Sequence, residues 1–163
     1  MSVITKDTFH FLDQIKTNNN KPWFEKNRPV YEKARAEYLQ FVKKLVEGIR
    51  KIEPIPEKEP SKYVQRIYRD IRFSKDKTPY KSHFSSIIER GPETRKCPFY
   101  VHIQPGKSMI GGGVWDPLPE TLRKIRQEID YNGNELKKII HSKKFLKYFG
   151  KISGNRLSRL PKG

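Results

Sequence analysis

The chain holds a single cysteine, Cys97, so it cannot close a disulfide within itself. A cysteine-based zinc site of any usual pattern needs at least two thiols and is excluded with it. Cys97 stands beside Pro98 in an apolar stretch, where a packed thiol is expected rather than a nucleophile. Long apolar runs are missing too. No window approaches the ~18 consecutive apolar residues of a membrane span. The start, Met1-Ser2-Val3-Ile4-Thr5-Lys6, lacks the basic-then-apolar order of a signal peptide. These absences place the chain, as an expectation, in a reducing cytoplasm.

Acidic side chains are scarce as well. There are 18 Asp and Glu against 35 Lys and Arg, a formal charge of +17. Such an excess draws polyanions at long range: nucleic acid, phosphorylated ligands or an acidic membrane surface. It equally describes a surface coated with solvated lysines. Apolar residues make up 34% of the chain, which is low for a globular protein, but nine Phe, eight Tyr and two Trp argue against disorder. A length of 163 residues suits one domain with one real core.

Helical periodicity opens the chain. Phe9, Leu12 and Ile15, with Phe11 beside them, recur at steps of three and four behind Thr5 or Asp7 as a cap. Asn18-Asn19-Asn20 ends that helix, and Lys21-Pro22-Trp23-Phe24 begins a new turn. Asn27 and Pro29 read as a cap and a first-turn proline. Tyr31, Ala34, Tyr38, Phe41, Val42, Leu45, Ile49 and Ile52 then share one face of a long helix, which Pro54 and Pro56 stop.

The period changes in the middle. Phe84 with Ile87-Ile88, and Phe99, Val101 and Ile103, predict strands, with Tyr100, His102 and Gln104 on the opposite face from the second set. Pro105-Gly106-Lys107-Ser108 predicts a hairpin turn. Met109 to Trp115 would return as a strand interrupted by Gly111-Gly112-Gly113. Helical patterning resumes with Leu122, Ile125 and Ile129 on a buried side. Asn132-Gly133-Asn134 separates it from a helix bearing Leu136, Ile139 and Ile140, and Ser142 caps a short helix with Phe145, Leu146 and Phe149. Helices, then strands, then helices, without βαβ alternation, predict an α+β fold: an antiparallel sheet in the middle of the chain packed by N-terminal and C-terminal helices.

The most function-like stretch is residues 66–83. It holds six basic side chains, two aspartates, three Ser or Thr hydroxyls and a histidine. If Ile67, Ile71 and Phe73 share the inner face of a strand, period two puts Arg69 on that face. A buried arginine must be paired, and Asp70 would point the other way, so its partner comes from elsewhere. A guanidinium held in this manner presents a fixed fork to carboxylate or phosphate. A helical reading through Val64, Ile67 and Ile71 is the alternative. Ser74-Lys75-Asp76-Lys77-Thr78-Pro79 is turn chemistry that either cradles an anion or is an ordinary solvated loop.

Other signals are weaker. Gly111-Gly112-Gly113 is neither a Walker loop nor a dinucleotide fingerprint, and a kinked strand explains it. His10, His83, His102 and His141 are scattered without metal-site spacing, although His102 can meet His83 across a sheet. Asp13, Asp70 and Asp76 form no recognisable catalytic pair, and no Gly-x-Ser-x-Gly elbow exists. No motif calls for a metal or a cofactor.

Four segments together resemble the family called domain of unknown function 2461: Asn18-Asn19-Asn20-Lys21-Pro22-Trp23-Phe24; Tyr68-Arg69-Asp70-Ile71-Arg72-Phe73-Ser74-Lys75-Asp76-Lys77-Thr78-Pro79-Tyr80-Lys81; Tyr100-Val101-His102-Ile103-Gln104-Pro105-Gly106; and Gly111-Gly112-Gly113-Val114-Trp115. Their order and spacing match from residue 8 to about 162. The family is widespread in bacteria and occurs in fungi; the resemblance supplies a motif map and no mechanism. It also implies that family members usually continue past the position of Pro161-Lys162-Gly163. The expectation is therefore one domain over residues 1–163, short of a C-terminal segment usual in the family.

Three functions compete on these residues. The first is a binding module for an anionic, phosphate-bearing ligand or nucleic acid. Arg69, Arg72, Lys75, Lys77 and Lys81 would supply charge, Ser74 a hydroxyl, and Trp23, Tyr80 and Trp115 rings that stack on a base. The second is an enzyme acting on such a ligand, with Asp70, Asp76 and His102 as its candidate acid–base groups. The third is a structural or protein-interaction domain whose polar block holds the fold together. The sequence does not decide the oligomeric state.

Overall fold

The structure is a computed structural model that describes residues 4–90, 97–154 and 157–158. The expected continuation at Pro161-Lys162-Gly163 lies outside the described residues. The chain forms two compact units, 1–115 and 116–163. Its class is α+β: a three-stranded antiparallel sheet in mid-chain, with helices before and after it in sequence. Among the described residues no helix is long and apolar enough to cross a membrane.

In the first unit, α1 spans Lys6–Thr17, α2 Lys21–Lys26 and α3 Arg28–Arg50. Helix α1 buries Thr8, Phe11, Leu12 and Ile15, leaving Phe9 half-buried. Thr5 takes the N-cap position, but its hydroxyl turns to Glu37 of α3 at 3.1 Å instead of capping the helix. Asn20 does cap α2, its Oδ1 accepting from Trp23 N at 3.0 Å. Asn27 sits at the N-cap of α3, yet its amide donates backward to Trp23 O at 2.9 Å.

Helix α3 buries Ala34, Tyr38, Val42 and Val46, four positions at strict steps of four. Phe41, Leu45 and Ile49 of the expected face pack half-buried against the same core. Ile52 does not belong to it. The helix ends at Arg50, and Ile52 is exposed, because the backbone turns before Pro54.

The sheet has β1 at Phe84–Ile88, β2 at Phe99–Ile103 and β3 at Met109–Gly112, in the order β1-β2-β3. Phe84 pairs with Ile103, and His102 with Met109. Helix α3 meets β1 through Tyr38, whose ring stacks on Phe84 at 5.1 Å and whose hydroxyl bonds Ser86 Oγ at 2.8 Å. The expected turn joins β2 to β3, with Gly106 at φ +67°, a region that favours glycine. Strand β3 stops at Gly112, short of the expected Trp115. Gly113 has φ +143°, which ordinary side chains rarely adopt and which takes the chain out of the ladder.

Neither reading of this stretch forms, the strand over Ile67, Ile71 and Phe73 or the helix through Val64, Ile67 and Ile71. Ile67 is buried, Ile71 is half-buried and Phe73 is 96% exposed. The chain makes instead a short bridge between Tyr68 and Tyr80, with Arg69 N donating to Pro79 O at 2.9 Å and Lys81 N to Ile67 O at 2.8 Å. Residues 70–78 leave the bridge as an excursion whose polar side chains bond their own backbone, which competes with ladder formation.

The second unit holds α4 at Pro119–Ile140 and α5 at Lys143–Phe149. The two helices expected on either side of Asn132-Gly133-Asn134 both lie within α4 and meet at a kink at Asn132, whose φ of −116° and ψ of 27° are not helical. Neither helix has a buried residue. Leu122 and Ile125 are half-buried and Ile129 is exposed, so the buried side expected for this helix is not closed within its unit. Ser142 caps α5 as expected, accepting from Phe145 N at 3.1 Å.

Candidate functional site

The bridge between Tyr68 and Tyr80 makes two arms of the motif, and one side of them opens as a cleft. Its volume is about 560 Å³, and its wall is formed by Lys16, Asn19, Arg69, Asp70, Asp76, Thr78, Tyr80, Lys81, Ser82 and His83. Two of these come from the N-terminal helices: Lys16 from the last turn of α1, and Asn19 from the turn that follows it. Asn19 joins the two parts, donating to Tyr80 O at 2.8 Å and accepting from Tyr80 N at 3.0 Å. A side-chain amide thus takes the place of a strand neighbour for the second arm.

Arg69 is the best-held cation of the wall. Its side chain is about a quarter exposed. Its Nη1 donates to the Asp76 carboxylate, to the Thr78 hydroxyl and to Thr78 O, the last at 3.2 Å. Among the described residues, Nη2 and Nε meet no protein acceptor. The partner does come from elsewhere than Asp70, as pairing required. Asp76 is itself fixed by Thr78, whose backbone N–H and hydroxyl both donate to its Oδ1, at 2.9 and 2.8 Å. Those Thr78 bonds first, and Arg69 after them, hold the Asp76 carboxyl down to about 2.

Asp70 is also engaged. Arg72 closes a fork on it, Nε to Oδ1 at 3.0 Å and Nη2 to Oδ2 at 2.6 Å, and this pairing lowers its pKa. Both carboxylates of the cleft are therefore committed to arginines. The remaining cations on the wall are Lys16 and Lys81.

One residue of the wall, His83, belongs to a histidine pair. The rings of His83 and His102 stack with centroids 4.2 Å apart. His102 also bonds Tyr100 OH through Nδ1 at 3.1 Å and Gln104 Oε1 through Nε2 at 2.9 Å, so Tyr100 and His102 of β2 and Gln104 just after it form one polar chain. Burial first, then His102 and Lys81, pull the His83 imidazole down to about 4. It is uncharged at neutral pH.

The cleft thus gathers Arg69, Asp70, Asp76, Tyr80 and Lys81 of the residues singled out in the sequence, and His102 stacks on His83 of its wall. The others lie elsewhere. Arg72 covers Asp70 with most of its side chain in solvent, Lys75 is exposed, and Ser74 is half-buried off the cleft wall. Lys77 turns its ammonium onto Ile71 O at 2.9 Å. The Tyr80 ring belongs to the core, stacked on Phe24 at 4.1 Å. Trp23 is half-buried against Phe11 at 6.2 Å, and Trp115 is 94% exposed. Lys16, Asn19, Thr78, Ser82 and His83 were not singled out as ligand contacts. Lys16 carries no local signal; Asn19 stands in the first of the four family-like segments, but only tertiary contact brings it to a motif some 60 residues on. Among the described residues no three of His, Cys, Asp and Glu gather as metal ligands would.

Fold and cleft together define an α+β protein whose polar, mixed-charge cleft is built on an irregular two-armed motif. Over residues 7–163 the chain matches the family described as Conserved hypothetical protein (DUF2461), and it belongs to that family. No curated protein and no solved structure matches it.

Proposed function

We propose that this chain binds a small anionic, phosphate-bearing ligand in the cleft formed by Arg69, Lys81 and Lys16. The observation that carries the reading is the state of Arg69. Asp76 and Thr78 grip its guanidinium through one nitrogen, while Nη2 and Nε find no acceptor among the described residues. A planar fork immobilised on one edge loses little side-chain freedom when the other edge takes two oxygens of a phosphate. The cleft wall carries three cations, Lys16, Arg69 and Lys81, and two carboxylates, of which Asp76 pairs with Arg69 and Asp70 with Arg72 outside the wall. Its size suits a small molecule better than a duplex.

Titration of the protein with inorganic phosphate, followed by calorimetry, tests the reading. Arg69→Lys keeps the charge and loses the fork, and is expected to weaken phosphate binding about tenfold, the worth of one charged hydrogen bond. Unchanged affinity in a variant that still melts cooperatively would remove Arg69 from the site.

A further inference from the structure

Lys81 differs from every other lysine among the described residues: it alone is not exposed. Its backbone is pinned by the bond to Ile67 O, and the residue lines the cleft. Neither carboxylate of the cleft neutralises it, because Asp70 pairs with Arg72 and Asp76 with Arg69. Its own burial, with the charge of Arg66 behind it, lowers the pKa of its ammonium. Two residues on, His83 stands in the same wall as an uncharged base at neutral pH.

A lysine kept only for solubility stays in solvent, and one kept for an ion pair has a carboxylate. Among the described residues Lys81 has neither arrangement. A half-sequestered amine beside a like charge is the arrangement that turns lysine into a nucleophile toward carbonyl carbon. We propose that Lys81 captures a carbonyl-bearing phosphate, an aldehyde or ketone whose phosphate is held by Arg69, as an imine in this cleft. The ligand's phosphate rests on the anion-binding reading above; the amine chemistry does not.

The step balances without a co-reactant. The neutral Nζ donates its lone pair to the carbonyl carbon, and the C=O π pair moves to oxygen. One N–H proton passes to that oxygen, giving the carbinolamine. The C–O bond then breaks, the second N–H proton leaves with the oxygen, and water and a C=N bond remain. His83, neutral and in the same wall, is the base this proposal assigns to take a proton from nitrogen and return it to the departing hydroxyl.

Pyridoxal 5′-phosphate, an aldehyde carrying a phosphate, is the probe. The folded protein is incubated with it, reduced with borohydride, digested and mapped by mass spectrometry. Pyridoxal without the phosphate is run in parallel, and inorganic phosphate serves as competitor. The expected result is a reduced adduct at Lys81 at roughly tenfold lower probe concentration than at exposed Lys77 or Lys147, with phosphate protecting Lys81 alone. Labelling of Lys81 no better than that of Lys77 and Lys147 overturns the imine. If phosphate still binds in an Arg69-dependent way in that case, the anion reading survives it. Preferential labelling of Lys81 by both aldehydes, with no protection by phosphate, supports the amine and overturns the phosphate-bearing ligand.

Discussion

Asn19 and Tyr80, 61 positions apart, exchange two hydrogen bonds through one side-chain amide and one backbone unit, at 2.8 and 3.0 Å. This contact ties the turn after α1 to the second arm of the motif, so the cleft wall contributed by Lys16 and Asn19 depends on it. Asn19→Ala removes both partners and leaves the amide and carbonyl of buried Tyr80 unmet. A loss of about 1–3 kcal/mol of folding stability is expected from chemical denaturation. Asn19→Asp keeps one acceptor but sets an anionic oxygen against Tyr80 O, and it should be no better than alanine. A variant with wild-type stability would mean that the arm holds its position without α1.

How far the sequence carried this follows from where each hydrogen bond is made. Tyr38, Val42 and the α3 stripe were legible because one helix face buries a fixed period, and β2 with its hairpin turn because Val101 and Ile103 alternate with Tyr100 and His102. The His83–His102 stack was visible as a cross-sheet possibility for the same reason. Residues 67–73 were misread because Ile67 and Ile71 look like a strand face. Their neighbours Asp70, Asp76 and Thr78 spend their side chains on local backbone and on arginines, and that local chemistry outweighs an unpaired strand. Nothing local marks Lys16, and the Asn18-Asn19-Asn20 run reads as a helix stop, not as a wall of the cleft, because its partner Tyr80 is 61 positions away.

His83 gives a pH signature. Its folded pKa lies near 4, below the ordinary 6.5, from burial first, then from the charges of His102 and Lys81. A group depressed in this way contributes stability that is fully present above its unfolded value and lost as pH falls through the folded one. Stability measured by denaturant midpoint should therefore decline between about pH 6.5 and 4. His83→Asn removes the titrating ring and should flatten that decline, whatever it costs at neutral pH. His102 faces the same ring, so His102→Asn is the second variant. If the two variants and the wild type lose stability in parallel over this window, the carboxylates and not the histidine pair set the acid response.

Charge alone makes a different prediction from a built cleft. With a net charge of +17, any lysine cluster should attract anions about equally if the attraction is diffuse. Lys143, Lys144 and Lys147 on α5 are exposed and form such a cluster. Replacing all three by Glu removes more positive charge than the single change Lys16→Glu in the cleft wall. The cleft reading nevertheless expects the α5 triple to change inorganic pyrophosphate affinity by less than about twofold, as for exposed charges, and Lys16→Glu to weaken it by about tenfold. Salt separates the two pictures further. A duplex held on a basic face loses affinity with log salt at a slope of about 0.9 per phosphate neutralised. A small anion gripped by Arg69 and two lysines should show a much shallower slope, because few counterions are released. A triple variant that weakens binding more than Lys16→Glu, together with a steep slope for duplex DNA, would replace the cleft with a basic surface that binds nucleic acid.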